Sequence, residues 1–264
     1  MKTIQLFFIL LLAVSCHNQN IFEIETIETD KNIIDELNSL KDIHHTALLY
    51  KDKIYDVWYS CSGEWGGTVY FKNKKSGKIH YTTATCPVSV NKIDGTYYVS
   101  ASMSHGFGNS YVLEIKNPEI MEETTKIHPY NPGIITREYE AHTSKGVRKL
   151  ADSSGVLIMS SFVYNKKLYS ILADNGKTKT TISELNKNKF HTVQKIDPDL
   201  FSYDPIINKE SETHQRIYIQ HPKPAMLDIR NNKIKVVLFK RVINKNKQAA
   251  LKTACYLFLI NLNR

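Results

Sequence analysis

Pro87-Val88-Ser89-Val90-Asn91-Lys92-Ile93-Asp94-Gly95-Thr96-Tyr97-Tyr98-Val99-Ser100-Ala101 is the stretch that decides the fold. Two runs rich in β-branched and aromatic residues flank Asp94-Gly95, a dipeptide that tolerates the positive φ angles of a tight hairpin turn. The same grammar recurs along the chain. Residues 54–59 and 68–71 flank a Gly-rich turn, and residues 111–115 stop at Asn117-Pro118. Residues 161–164 turn through Asn165-Lys166-Lys167 into 168–172, and residues 225–229 turn through Asn231-Asn232-Lys233 into 234–239. Residues 180–185 and 190–193 make a further pair. Only one helix is expected, a short one in which Asp30 caps and Ile33, Ile34, Leu37 and Leu40 share a face.

Repeated hairpins with scarcely any helix point to an all-β chain of stacked four-stranded units, which resembles a β-propeller. At a usual blade of about 40–50 residues, the roughly 250 residues after the N-terminal leader make about five blades. Matched turns lead into strands at Ile54, Tyr97, Leu168 and Ile234, and only the first of these steps has the length of a blade. The longer steps leave room for degenerate units near Ile134-Ile135-Thr136 and Arg216-Ile217-Tyr218-Ile219. The alternative architecture is an irregular antiparallel β-sandwich. Residues 256–260 are apolar on both faces and read as a central strand, closing the ring beside residues 21–24.

Composition narrows the class. Of 264 residues 42% are hydrophobic and 23% charged, which excludes collagen-like, low-complexity and wholly disordered chains. Lys+Arg number 35 against 26 Asp+Glu, for a net charge of +9. Most of the cations are lysines scattered through Asn-rich turns, whereas bidentate phosphate recognition favours arginine. The basic balance therefore reads as a solvated surface with weak attraction to anionic lipid or polysaccharide, and not as nucleic-acid binding.

The N-terminus supplies an address. Lys2 precedes a short apolar run, residues 6–14, too short for the about 20 apolar residues of a membrane span. Ala13-Val14-Ser15-Cys16 resembles the lipobox of bacterial lipoproteins, although Ala13 replaces the usual Leu. The resemblance implies cleavage before Cys16, acylation of its thiol, and attachment to a lipid bilayer in the cell envelope. An ordinary secreted protein is the alternative. The expected organisation is a signal peptide over 1–15, acylated Cys16, tether and first strand over 16–28, and a single β domain over 29–264. Export permits a disulfide, and Cys61 with Cys86 is the natural pair, while Cys255 reads as a buried thiol. No Cys-x-x-Cys or close Cys/His quartet occurs, and no phosphate-binding Gly loop or dinucleotide fingerprint, so no metal or other cofactor is expected.

Ser62-Gly63-Glu64-Trp65-Gly66-Gly67-Thr68-Val69 is similar to the Asp-box turn of sialidase-like propellers in Ser62, Gly66 and Thr68, and departs from it at Glu64 and Val69. In that family the box is a structural turn, so the similarity speaks to fold. Asp56, Glu64 and Asp94 are acids of the kind that a glycosidase pairs, but no spacing singles out two of them. The loop Ser104-His105-Gly106-Phe107-Gly108-Asn109-Ser110 offers a polar handle and a ring, but no nucleophile elbow. Adjacent His44 and His45 point to opposite faces if they lie in a strand. The resulting expectation is a non-catalytic binding or scaffold module for a glycan or an envelope protein. Tyr59, Glu64, Trp65, His105 and Phe107 are its candidate ligand residues. A small glycan-active hydrolase of the five-bladed kind is the alternative.

Overall fold

A computed structural model describes residues 20–40, 47–103, 108–130, 137–174, 179–220 and 222–240. The chain is all-β, with strand β1 (Glu23–Thr29), helix α1 (Ile33–Ser39), and then a succession of hairpins. These run through β2 (Leu48–Lys51), β3 (Tyr55–Cys61), β4 (Gly67–Asn73) and β5 (Ile79–Thr83). They continue through β6 (Pro87–Ile93), β7 (Thr96–Met103), β8 (Asn109–Ile115), the short β9 (Glu122–Thr124) and β10 (Arg148–Ser154). Next come β11 (Val156–Tyr164), β12 (Lys167–Asp174), β13 (Thr180–Asn186) and β14 (Lys189–Ile196). The last are β15 (Ile206–Ser211), β16 (His214–Ile219), β17 (Ala225–Arg230) and β18 (Lys233–Phe239).

These strands make four sheets in chain order: β2-β3-β4-β5-β9, then β10-β8-β7-β6, then β11-β12-β13-β14, then β1-β18-β17-β16-β15. Neighbours pair antiparallel, except that β1 lies parallel to β18 with Glu23 opposite Lys233. The turns follow the residue chemistry that the sequence displays. Asp94-Gly95, Asn165-Lys166 and Lys187-Asn188 each hold both central residues at positive φ, matching the twist of the flanking strands. At the β2–β3 turn, Asp52 Oδ1 instead accepts the Ile54 and Tyr55 N–H groups, each at 2.7 Å.

The uneven spacing of the hairpins has a structural cause. Tyr97 and Leu168 both belong to the second strand of a sheet. Between β8 and β10, however, the chain leaves its sheet and lends β9 to the edge of the first one. Ile234 begins its run in the fourth strand of its sheet, so the last step measures a different interval. Arg216 to Ile219 belong to β16, an ordinary member of the fourth sheet. Residues 134–136 and 256–260 lie outside the described residues, and β1 lies beside β18. Four sheets are present among the described residues, against the about five units of the period arithmetic, which also counted residues 241–264.

Three apolar seams join successive sheets. Val57, Val69 and Phe71 meet Val90, Val99 and Ile115 between the first and second. Val112 and Leu150 meet Ile158, Leu168 and Leu172 between the second and third. Between the third and fourth, Phe22 inserts ahead of β1 among Phe162, Tyr164 and Tyr169, with ring centroids 5.0–5.6 Å away. Burying a side chain of this size contributes about 1.5–3 kcal/mol, so the start of β1 is firmly seated. Helix α1 covers the outer face of the fourth sheet through Ile33 and Leu37. Its cap is Asn32, whose side chain accepts the Ile34 N–H, rather than Asp30, which pairs with Lys240. Ile34 faces solvent and leaves the expected apolar face.

Candidate functional site

A disulfide joins Cys61, the last residue of β3, to Cys86 just before β6, tying the first sheet to the second. Closing a loop of this length stabilises by about 3 kcal/mol in the chain-entropy model. The β3–β4 turn beside it grips a carboxylate that the sequence left unmarked. Ser60 and Ser62 each donate a hydroxyl to Glu140 at 2.6 Å, and Thr68 donates at 2.7 Å. Thr68 Oγ1 in turn accepts the Ala141 N–H at 2.8 Å. Glu140 is buried and forms no ion pair among the described residues. Two of the three positions that match the Asp-box pattern bond this carboxylate, and the third lies beside the Cβ of the same residue. Ser62 and Thr68 donate to it, and a Cβ on Gly66 would stand 3.5 Å from the Glu140 Cβ. Gly67 is required for close approach, because a Cβ there would lie 2.5 Å from the Ala84 carbonyl oxygen.

The segment that delivers Glu140 also brings rings to this end of the molecule. Trp65, 47% exposed at the turn, lies under the Arg137 guanidinium at 4.6 Å. Tyr139 stacks on His128 with centroids 4.2 Å apart. The Tyr130 N–H donates to the Tyr59 carbonyl at 2.7 Å, so Tyr130 lies along the edge of β3, whose Tyr59 N–H donates to Ala47. The two phenol rings stack at 5.5 Å. Asp204, from the β14–β15 connection, stands close to both. Burial, then the Asp204 charge and Tyr130, push the Tyr59 phenol far above its ordinary value. Asp204 is an exposed residue, yet desolvation among these groups raises its carboxyl pKa from the ordinary value. The arrangement provides ring faces for stacking and a carboxylate acceptor for hydroxyl groups.

Of the candidate residues, Tyr59 and Trp65 therefore belong to this ring-bearing end, and Tyr59 is half-buried under Tyr130 rather than open. Glu64 is exposed on the same turn. His105, Phe107, Cys16, Cys255 and the His44-His45 pair lie outside the described residues. Asp56 and Asp94 sit at the other end of the domain, paired with Lys74 and Lys166 at 3.1 Å each, so they do not converge with Glu64. Glu140, Tyr130, Arg137 and Asp204 went unseen because their partners are far away along the chain.

A second polar centre joins all four sheets. Lys209 of β15 donates to Asn91 Oδ1 at 3.1 Å and to the Val90 carbonyl at 3.3 Å, both on β6. Asn91 donates to the Ser161 carbonyl of β11 at 3.0 Å. Tyr50 of β2 places its ring 5.0 Å from the ammonium and donates to Glu212, which also accepts from Lys209. Burial pushes the Lys209 pKa down from its ordinary value, against the pull of Glu212. A groove of about 500 Å³ lies elsewhere, between β10 and β12–β14, lined by Ser153, Thr181, Ser183, Phe190 and Thr192 among others. Its hydroxyls stand among apolar and charged side chains, and it includes neither stacked ring pair. Among the described residues no group of three or more His, Cys, Asp or Glu side chains is placed to hold a metal ion. No helix among them is long and apolar enough to cross a membrane. No family model matches the chain, and no curated protein matches it either.

Proposed function

We propose that the chain is an exported lipoprotein, anchored through acylated Cys16, whose β domain is a propeller-like binding module for a glycan or an envelope protein. The four sheets follow one another in chain order and send Tyr50, Asn91, Ser161 and Lys209 to a common hub, as the inner strands of radial blades would. The observation that carries the binding reading is the Tyr59–Tyr130 stack beside Asp204, on the same end as the exposed Trp65–Arg137 pair. Rings present apolar faces to the C–H side of a sugar or to a protein anchor, while Asp204 and Arg137 supply acceptor and donor.

The hydrolase reading draws on one feature, the raised pKa of Asp204, which suits a general acid. Glycoside hydrolysis needs a second carboxylate about 5–10 Å away. Among the described residues only desolvation accounts for the Asp204 shift, with no contribution from a neighbouring acid. A glycan array and a hydrolysis screen on the full chain test both readings. Binding that is lost in Tyr130→Ala and Trp65→Ala without turnover supports the module. Turnover abolished by Asp204→Asn supports the hydrolase. A glycan or partner bound equally by wild type and both ring variants refutes this location for the site.

A further inference from the structure

The lysines that are scattered in the sequence are gathered in space. In a sheet of consecutive hairpins alternate turns fall at the same end, and cross-sheet contacts align the four sets of turns. Lys74 donates to the Asp52 carbonyl within the first sheet, Lys92 of the second sheet pairs with Asp52, and Lys166 of the third pairs with Asp94. Tyr50 reaches Glu212 of the fourth sheet, and the Asn231 N–H donates to Thr213 across that sheet's two turns. At this end Lys51, Lys53, Lys75, Lys116, Lys187 and Lys189 are exposed and have no ion pair among the described residues. Glu23, Glu119 and Glu212 are exposed acids at this end, outnumbered by its lysines, while the opposite end carries Glu64, Asp204, Asp152 paired with Lys149, Asp199 paired with Lys195, and the exposed Lys179 and Lys223.

The chain enters at the lysine-rich end. The Glu23 N–H donates to the Asn232 carbonyl of the β17–β18 turn, and Phe22 is locked in the core. From Cys16 to Phe22 is six residues, a span of at most about 20 Å. We infer that the lysine-rich turn end is a docking face for anionic lipid headgroups, held against the bilayer by this short link and presenting the ring-bearing end away from it. The inference rests on the proposed anchor for its orientation, while its charge complementarity is independent of acylation. Each lysine near an anionic surface raises partition about fivefold.

The test uses the full chain from an exporting bacterial host, reconstituted in phosphatidylcholine vesicles with or without phosphatidylglycerol. Chain recovered in the soluble fraction is mixed with the same vesicles, so docking is read whether or not Cys16 is acylated. A membrane-impermeant amine-reactive ester is applied, labelling is mapped for each lysine, and the mass of the Cys16 peptide is read in the same digest. On phosphatidylglycerol vesicles Lys51, Lys53, Lys75, Lys116, Lys187 and Lys189 become several-fold less labelled, whereas Lys179 and Lys223 at the far end do not change. About 0.5 M salt, which shortens the screening length to roughly 4 Å, restores labelling. In the combined variant K51Q, K53Q, K75Q, K187Q and K189Q, Lys116 regains its labelling while the melting transition is kept. Equal labelling of both ends, or protection independent of the anionic lipid, overturns the docking face even if Cys16 is acylated. Protection with an unmodified Cys16 keeps the face and removes the anchor. Protection by a soluble polyanion and not by vesicles overturns lipid as the occupant.

Discussion

Glu140 and Lys209 are opposite charges withdrawn from water in two regions of one domain, and they are satisfied by opposite strategies. The Glu140 carboxylate is held by three hydroxyls from a single hairpin, Ser60, Ser62 and Thr68. The Lys209 ammonium is held by groups from separate sheets: the Asn91 amide oxygen, the Val90 carbonyl and the Tyr50 ring, with the exposed Glu212 as its only anion among the described residues. Glu140 shows that a buried carboxylate is tolerated when enough dipoles point at it, whereas Lys209 keeps one countercharge at its exposed side. The hairpin cage anchors one distant segment to one turn. The hub cross-links sheets, so a defect there is shared by several elements and is more readily relaxed.

The contrast is broken most severely by Glu140→Ala. It strips three buried hydroxyls of their acceptor and detaches the segment carrying Tyr130 and Arg137, at an expected cost of about 3–5 kcal/mol by denaturant unfolding. Glu140→Gln separates charge from shape. If the cage works through charge-assisted bonds, the amide recovers less than half of the loss. Lys209→Met is expected to cost less, about 1–2 kcal/mol, because the unmet Asn91 and Val90 oxygens are offset by ending the burial of an ammonium. A loss exceeding that of Glu140→Ala would invert the comparison.

A pH titration sharpens the picture beside the hub. Burial alone would raise the Asp52 pKa, but hydrogen bonds from Lys92, Tyr97 and the Tyr55 and Ile54 N–H groups outweigh it and hold the carboxyl at about 2, against an ordinary value of 3.8. A depressed carboxylate pKa gives stability that is fully present above the ordinary value and is lost as pH falls through the folded one. Wild type is therefore expected to lose stability between about pH 4 and pH 2, and Asp52→Asn should flatten that limb in urea titrations across this range. The smallest effect belongs to Trp65→Ala, within about 0.5 kcal/mol of wild type, since the ring is exposed. Its consequence should appear in ligand binding instead.

Much of the fold was legible because hairpin chemistry is local. Asp94-Gly95 and Asn165-Lys166 announce their turns through the φ angles they tolerate, and strand alternation places Val57, Val69 and Val99 inward. Tyr59, Trp65, Ser62 and Thr68 stood out for the same reason, since they cluster around one turn. Asp204 and Tyr130 carried no local signal, for a carboxylate or phenol in a loop reads alike whether it meets solvent or a distant ring. The helix cap moved from Asp30 to Asn32 because both residue types cap well and only the seating of Ile33 and Leu37 selects the register.

The chain by itself determined an all-β succession of hairpins, a pair of cysteines 25 residues apart, a short apolar run ahead of Cys16, and a surplus of lysine. These are properties of neighbouring residues. Tertiary structure alone decided that Glu140 would be caged, that Lys209 would meet Asn91 from 118 residues away, and that lysines distributed over many turns would share one end. The physical reason is the period of the hairpin meander. Every second turn returns to the same side of its sheet, so charges far apart along the chain are summed into one electrostatic face when four sheets are aligned.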